Sequence, residues 1–365
     1  MCAHRKRHIL KSGICGKQLA AFGLVSFGAC SSGDRPGPFA HVADAVRIAP
    51  RAPGRIFAPA RWDTIVTIQA DDSILFRPRL LEAQPGRLYV YDYIDARIKA
   101  FDRNGKLLWR FGGYGRGPKQ FLNVPSLATA ADGSLWAVDG GSGGNARFAL
   151  LSPEGDQLKN IPTTEPILRV IPTANELLGA TLSRDKFLVS VDPAGGVAAE
   201  YGFPLRELKD AEPTIRQPLT ALDRTRTIWA AIFPFGDLLL VYRGHAVQCA
   251  GRLIEGEKFP HAATGLKPNV SAVAVAFADS SIFVLPKGKT ADAMRMLDEY
   301  SIKDCTYRRT MRLPGKFMAM SISANTFYFE YETPKRQVLG ATPGLVGLQM
   351  VSPQLTQRRT RPVRR

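Results

Sequence analysis

The chain has 365 residues, 45% of them hydrophobic, enough to bury a large core in two ordinary domains or one large all-β wheel. Its formal charge of +17 would suit a nucleic-acid binder, but the charge is concentrated at the ends: five basic residues and no acid precede residue 30, and five arginines fall in the last eight residues. The long stretch between carries a mild, spread excess, which excludes a nucleic-acid surface as the main expectation.

In chain order, Arg5, Lys6, Arg7, Lys11 and Lys17 come first, then an uncharged run from Leu19 to Ala29, then Cys30. Eleven such residues cover only about half of a bilayer core, so the run reads as an export signal instead of a membrane span. "LVSFGAC" followed by "SSGD" resembles a bacterial lipoprotein signal, in which a small residue precedes a cysteine that is lipidated and becomes the mature N-terminus. Ala29 and Gly28 fit that pattern, whereas Phe27 stands where leucine is usual. The resemblance implies a signal peptide over 1–29, lipid attachment at Cys30 and a membrane anchor through acyl chains. Ser31 after the cysteine, in place of Asp, is similar to the outer-membrane address of two-membraned bacteria. A cleaved secretory signal with a coincidental cysteine is the alternative. Removal of the signal would leave Cys249 and Cys305 in the folded body, as one disulfide or as two buried thiols. Residues 30–59, rich in Pro, Gly, Ala and Arg without periodicity, read as a flexible tether.

Beyond the tether, short apolar strands alternate with turn pairs. "QPGRLYVYDY", "ADGSLWAV", "ANELLGATL", "FGDLLLVY", "DSSIFVL" and "ANTFYFEY" share one form, and their turn residues Gly86, Gly133, Asn175, Gly236, Ser280 and Asn325 lie 47, 42, 61, 44 and 45 apart. Self-similarity at that period marks a radial repeat. The first unit divides into four strands, with an Asn104-Gly105 pair expected to form a tight hairpin in which both central residues take positive φ. Six such units predict an all-β fold, a six-bladed β-propeller of four-stranded antiparallel blades over 60–352. The widest gap contains "LRELKDAEPTIRQPLTALDR", read as a loop inserted between blades three and four, with "IWAAIFPFG" as the inner strand of blade four. "WDTIVTIQ" at 62–69 is a spare strand expected to complete the last blade and close the ring. Composition does not change across the insertion, so one domain is expected, followed by a basic disordered tail over 353–365.

The stretch "WRFGGYGRGPKQFLNVPSLATAADGSLWAVD" at 109–139 raises the question of a phosphate loop. Gly112, Gly113, Gly115 and Gly117 do follow a strand, but Pro118 interrupts the run, no helix follows and no Gly-Lys-Ser/Thr is present. The stretch resembles the NHL-repeat family of propellers instead. It has Val90 and Asp92, Arg97-Ile98 with Phe101, Asn104-Gly105, Phe111-Gly112, Gly117-Pro118, Gln120-Phe121, Pro125, Asp132-Gly133 and Asp139, in the family's order. That resemblance implies a structural bend between blades: Gly112, Gly115, Gly117 and Pro118 turn the backbone, and Phe121 plugs the gap. Asp92 and Asp139 are expected either as rim carboxylates or as acceptors of backbone bonds in the adjoining turns.

Some NHL-like wheels are metal-dependent lyases and some six-bladed relatives are calcium-dependent lactonases, so a lyase or lactonase-like hydrolase is the alternative function. Only His245 and His261 lie in the body beyond the tether, too few for the lyase type of site. The segments read as inner strands are almost wholly apolar or small, poor material for a cation. No catalytic residue, metal or cofactor is therefore expected, and binding outranks catalysis. The expected partners are an envelope protein or polymer on one propeller face, the membrane through the lipid anchor, and anionic lipid or polysaccharide at the basic tail.

Overall fold

The computed structural model describes residues 46–69, 74–140, 146–257, 259, 269–288, 292–334 and 341–351. The predicted lipid site Cys30, the tail over 353–365 and His261 lie outside them. The described chain opens with two short strands, β1 (Ile48–Ala49) and β2 (Phe57–Ala58), and a longer one, β3 (Arg61–Gln69). Blade one follows as β4 (Pro78–Gln84), β5 (Arg87–Asp92), β6 (Arg97–Asp102) and β7 (Leu107–Gly112). Blade two is β8 (Ser126–Thr129), β9 (Leu135–Asp139), β10 (Ala146–Leu151) and β11 (Gln157–Thr163). Blade three is β12 (Ile167–Pro172), β13 (Leu177–Thr181), β14 (Leu188–Val191) and β15 (Val197–Tyr201). A short helix, α1 (Arg206–Asp210), lies in the connection to blade four, which is β16 (Leu219–Leu222), β17 (Ile228–Ile232), β18 (Leu238–Arg243) and β19 (Ala246–Arg252). Blade five is β20 (Ala272–Ala278), β21 (Ser281–Pro286), β22 (Met296–Ser301) and β23 (Tyr307–Arg312). Blade six is β24 (Phe317–Ser323), β25 (Thr326–Pro334) and β26 (Ala341–Val351), with β3 as its outermost strand.

Each blade is an antiparallel sheet in this order, and the inner strands β4, β8, β12, β16, β20 and β24 touch in sequence, with β24 returning to β4. The molecule is thus a closed six-bladed β-propeller. The spare N-terminal strand closes it: β3 pairs antiparallel with β26 from Arg61↔Val351 to Gln69↔Gly344. Both faces of a blade are covered by its neighbours, so the middle strands are apolar on both sides; Leu88 to Tyr91 in β5 and Leu238 to Tyr242 in β18 are buried without alternation. The core accordingly divides into six clusters, one at each blade interface. Tyr89, Phe121 and Ala137 belong to the first interface, and Val66, Leu345 and Val90 to the one that closes the ring.

Three local expectations are corrected. In blade four the inner strand is β16, "LTAL", which lies inside the supposed insertion; "IWAAI" is the second strand and "LLLVYR" the third. The turn between β16 and β17 uses Arg226 at φ 58° where a glycine would ordinarily announce it, so the repeat was masked. In the Asn104-Gly105 turn only Gly105 has positive φ, at 83°. Gly105 N bonds Asp102 O, and the Asp102 carboxylate accepts from Asn104 N and Lys106 N, giving a longer turn with the glycine at its end.

The third correction concerns the tether. Its described part, residues 46–59, is strapped to the outside of the wheel: β1 lies parallel on β19 and β2 parallel on β23. Arg51 bonds the buried Asp237 at 2.5 Å, and Arg55 grips both oxygens of buried Asp298 at 3.1 and 2.9 Å and also reaches Glu255. Cys249 of β19 and Cys305, in the turn between β22 and β23, are joined by a disulfide that ties blades four and five, with Cα atoms 5.8 Å apart.

Burial alone would lower the Arg55 guanidinium, but hydrogen bonds and charge from Asp298 and Glu255 hold it above its ordinary value. Burial pushes the Asp298 carboxyl up despite Arg55 and Thr310. Removing one partner of a buried pair costs about 3–5 kcal/mol, since the other charge stays behind. Arg55→Ala is therefore expected to destabilise the wheel by about that amount at neutral pH in chemical denaturation. A carboxyl raised by folding gains stability as pH falls, so the loss should shrink toward about pH 4. A loss that is small at neutral pH, or that grows on acidification, would contradict the strap's role.

Candidate functional site

Inner strands run from one face of the wheel to the other. One face carries the connections between blades and the turns between second and third strands; it is the loop face. The opposite, turn face carries the tight turns at the far ends of the inner strands. A cavity of about 380 Å³ lies between the inner strands on the axis.

At the turn-face end this channel is spanned by Arg226. Its backbone, in the left-handed region, accepts from Ala174 N of blade three. Its guanidinium reaches Thr129 Oγ1 of blade two and lies 3.9 Å from Glu82 of blade one. Glu82 in turn accepts from Thr129 N at 3.0 Å and Thr129 Oγ1 at 2.8 Å. Arg226 thereby joins its own blade four to blades one, two and three across the axis.

At the loop-face end stands Arg169, in β12. Its Nε donates to Pro218 O at 2.8 Å and its Nη1 to the carbonyls of Pro125 and Leu168, so this one side chain links blades two, three and four through backbone acceptors. Among the described residues its Nη2 has no hydrogen-bond partner and no carboxylate faces the group. Burial pulls the guanidinium down to about 10. Arg79 also lines the cavity and packs over the Tyr93 ring at 5.9 Å. Among the described residues four arginines and two acids line the channel, and both acids are occupied: Glu82 as above, and Asp223 by Thr227 N and Ile228 N in its own turn, at 2.9 Å each.

The sequence-predicted residues lie away from the axis. Asp92 is fully buried; it accepts from Phe76 N at 2.7 Å, Arg77 N at 2.8 Å and Lys99 Nζ at 2.6 Å. Asp139 accepts from Leu122 N, Asn123 N and Arg147 Nε. Both carboxylates hold interblade connections to the blades. His245 stacks on Tyr201 with ring centroids 4.5 Å apart, on the turn face between blades three and four. Among the described residues no group of three or more His, Cys, Asp or Glu is arranged to hold a metal. Arg169 and Arg226 escaped the sequence reading, although the arginine in "LRVIPT" interrupts an otherwise apolar inner strand and was the available signal.

The glycine stretch forms the connection from β7 to β8 on the loop face. Phe121 is buried between blades one and two against Phe111, ring centroids 5.8 Å apart. Gly112 has φ 107°, and a Cβ there would lie 2.8 Å from the Phe121 ring and 2.9 Å from Ala96 O. Gly115 has φ 150°, Gly117 N bonds Gln120 Oε1 at 3.0 Å, and Pro118 is exposed, its carbonyl accepting from Gln157. The stretch is fastened to the turn between β5 and β6 by Gly113 N donating to Ala96 O. On these two joined segments Tyr93, Ile94 and Tyr114 are 50%, 59% and 75% exposed.

No known family profile matches the chain, and no curated protein is detectably similar to it in sequence. Among solved structures, a candidate exported protein of Bacteroides fragilis is similar at 12% identity and TM-score 0.57, covering 84% of this chain and 99% of its own. A member of the DUF4221 family from Bacteroides vulgatus is similar at 9% identity and TM-score 0.51, covering 80% and 98%. The likeness is one of fold.

Gly112→Ala is expected to cost about 1 kcal/mol or more, from positive φ and the approach to Phe121, and Phe121→Ala about 3–5 kcal/mol. Neither melting curve should respond to ATP. Saturable ATP binding abolished by the glycine change would restore the phosphate-loop reading.

Proposed function

We propose that the chain is an exported lipoprotein, acylated at Cys30 and held at the outer membrane, whose propeller is a binding module for an acidic protein partner in the cell envelope. The observation that supports this reading is the apolar group Tyr93, Ile94 and Tyr114 on the loop face of blades one and two. Around it stand Arg77, Arg97 and Lys119, all exposed and none with an ion-pair partner among the described residues. Exposed aromatics with an arginine border are the composition of a protein interface whose partner carries carboxylates. The fit to a candidate exported neighbour of the same fold agrees with the signal over 1–29. A metal-dependent lyase or lactonase-like hydrolase draws no support from the arginine-rich channel.

The reading is tested in cells. A photoreactive phenylalanine at Tyr114 should give a discrete cross-linked species, and the same group at Leu158, exposed on the outer strand of blade two, should not. Arg97→Glu should weaken the Tyr114 product severalfold, and mass spectrometry should find an acylated Cys30 at the mature N-terminus. Equal products at both positions, insensitivity to Arg97→Glu, or an unacylated terminus beyond Cys30 would overturn it.

A further inference from the structure

The arginine at the channel mouth has no assigned purpose in a binding face that lies outside it. Arg169 has three of its hydrogen-bonding directions fixed by main-chain carbonyls, which add negative dipole but no charge. A guanidinium held among inner strands without a carboxylate is costly to keep charged. Among the described residues each acid in the channel is already committed elsewhere, Glu82 to Thr129 and Arg226 and Asp223 to its own turn. An anion supplied from outside would satisfy Nη2 by a charge-assisted bond.

The rest of the cavity says what that anion is attached to. Leu81, Leu127, Val275 and Met320 contribute apolar walls, and Arg226 reaches across the channel to Thr129. A volume of about 380 Å³ lies within the range of small-molecule sites, which combine apolar walls with a few convergent polar groups. We infer that the central channel is a ligand site for a small amphiphilic oxyanion: a carboxylate or phosphate monoester bound at Arg169 Nη2 with its short apolar body directed along the axis. The site adjoins the exposed surface through Arg79, which packs over Tyr93, but its lining includes none of Tyr93, Ile94 and Tyr114, and its occupancy does not depend on a protein partner.

Calorimetric titration of the full mature protein in detergent tests the inference with four probes. Hexanoate and hexyl phosphate distinguish the two headgroups, hexanol removes the charge and galacturonate replaces the apolar body with a polar one. One or both hexyl anions should bind saturably, each more tightly than hexanol and galacturonate by at least about tenfold. Arg169→Gln should weaken the anion about tenfold or more, and Arg169→Lys should restore part of the loss. Since Arg169 also bonds three carbonyls and its loss could unfold the wheel, Leu127→Trp supplies an independent variant. It fills the channel while leaving those bonds in place, and it should abolish binding without disturbing Tyr114 cross-linking. No saturable binding by either anion, tighter binding of hexanol or galacturonate, or undiminished anion binding in folded Arg169→Gln or Leu127→Trp protein would overturn it.

Discussion

Everything in this molecule depends on one strand pairing: β3, from the start of the described chain, hydrogen-bonds to β26 near its end. A row of blades with free ends would expose unpaired backbone groups along β26 and leave the last core cluster half built. Pairing of β3 satisfies those groups and brings Val66 and Ile68 against Val90 and Phe101 of blade one, so the sixth interface becomes equivalent to the other five. Only in a closed ring do six inner strands face one another. The channel and its two arginine-bearing ends are consequences of that closure.

Buried charge is used throughout to position segments that short strands alone would hold poorly. Asp92 and Asp139 fasten interblade connections, while Asp237 and Asp298 receive the arginines of the outer strap. Each of these carboxylates has specific donors, which is the condition under which a charge can be buried at all. Arg226 serves the same end across the axis. Arg169 differs from all of them, because only neutral carbonyls answer its charge. That contrast is the reason to separate the channel mouth from the structural ion pairs.

Much of the architecture was legible in the sequence, because repeated strand-and-turn units leave a periodic trace and a spare strand before the first unit implies closure. Blade four departs from the expected pattern for a definite reason: its first turn is made by Arg226 in a conformation usually advertised by glycine, and its inner strand has only four residues, so the visible repeat skips to the next apolar run. The strap was hidden because it holds to the wheel by two-residue pairings and two arginines, which leave no periodicity in a Pro- and Gly-rich segment. The channel was hidden for a related reason. Arg169 and Arg226 lie 57 residues apart in separate blades, and only ring closure brings them to one axis. Conversely, the glycine stretch has the composition of a nucleotide loop, yet it serves to turn the backbone around Phe121.

The claim that one terminal pairing makes the ring a single cooperative body is tested most directly by native-state hydrogen exchange. Amides of Val66 and Ile68 in β3 and of Val346 and Leu348 in β26 should exchange only with global unfolding, with the same free energy and denaturant dependence as Tyr89 and Val90 in blade one. Exchange of the β3 and β26 amides through a separate, lower-energy opening, with blade one still protected, would contradict it.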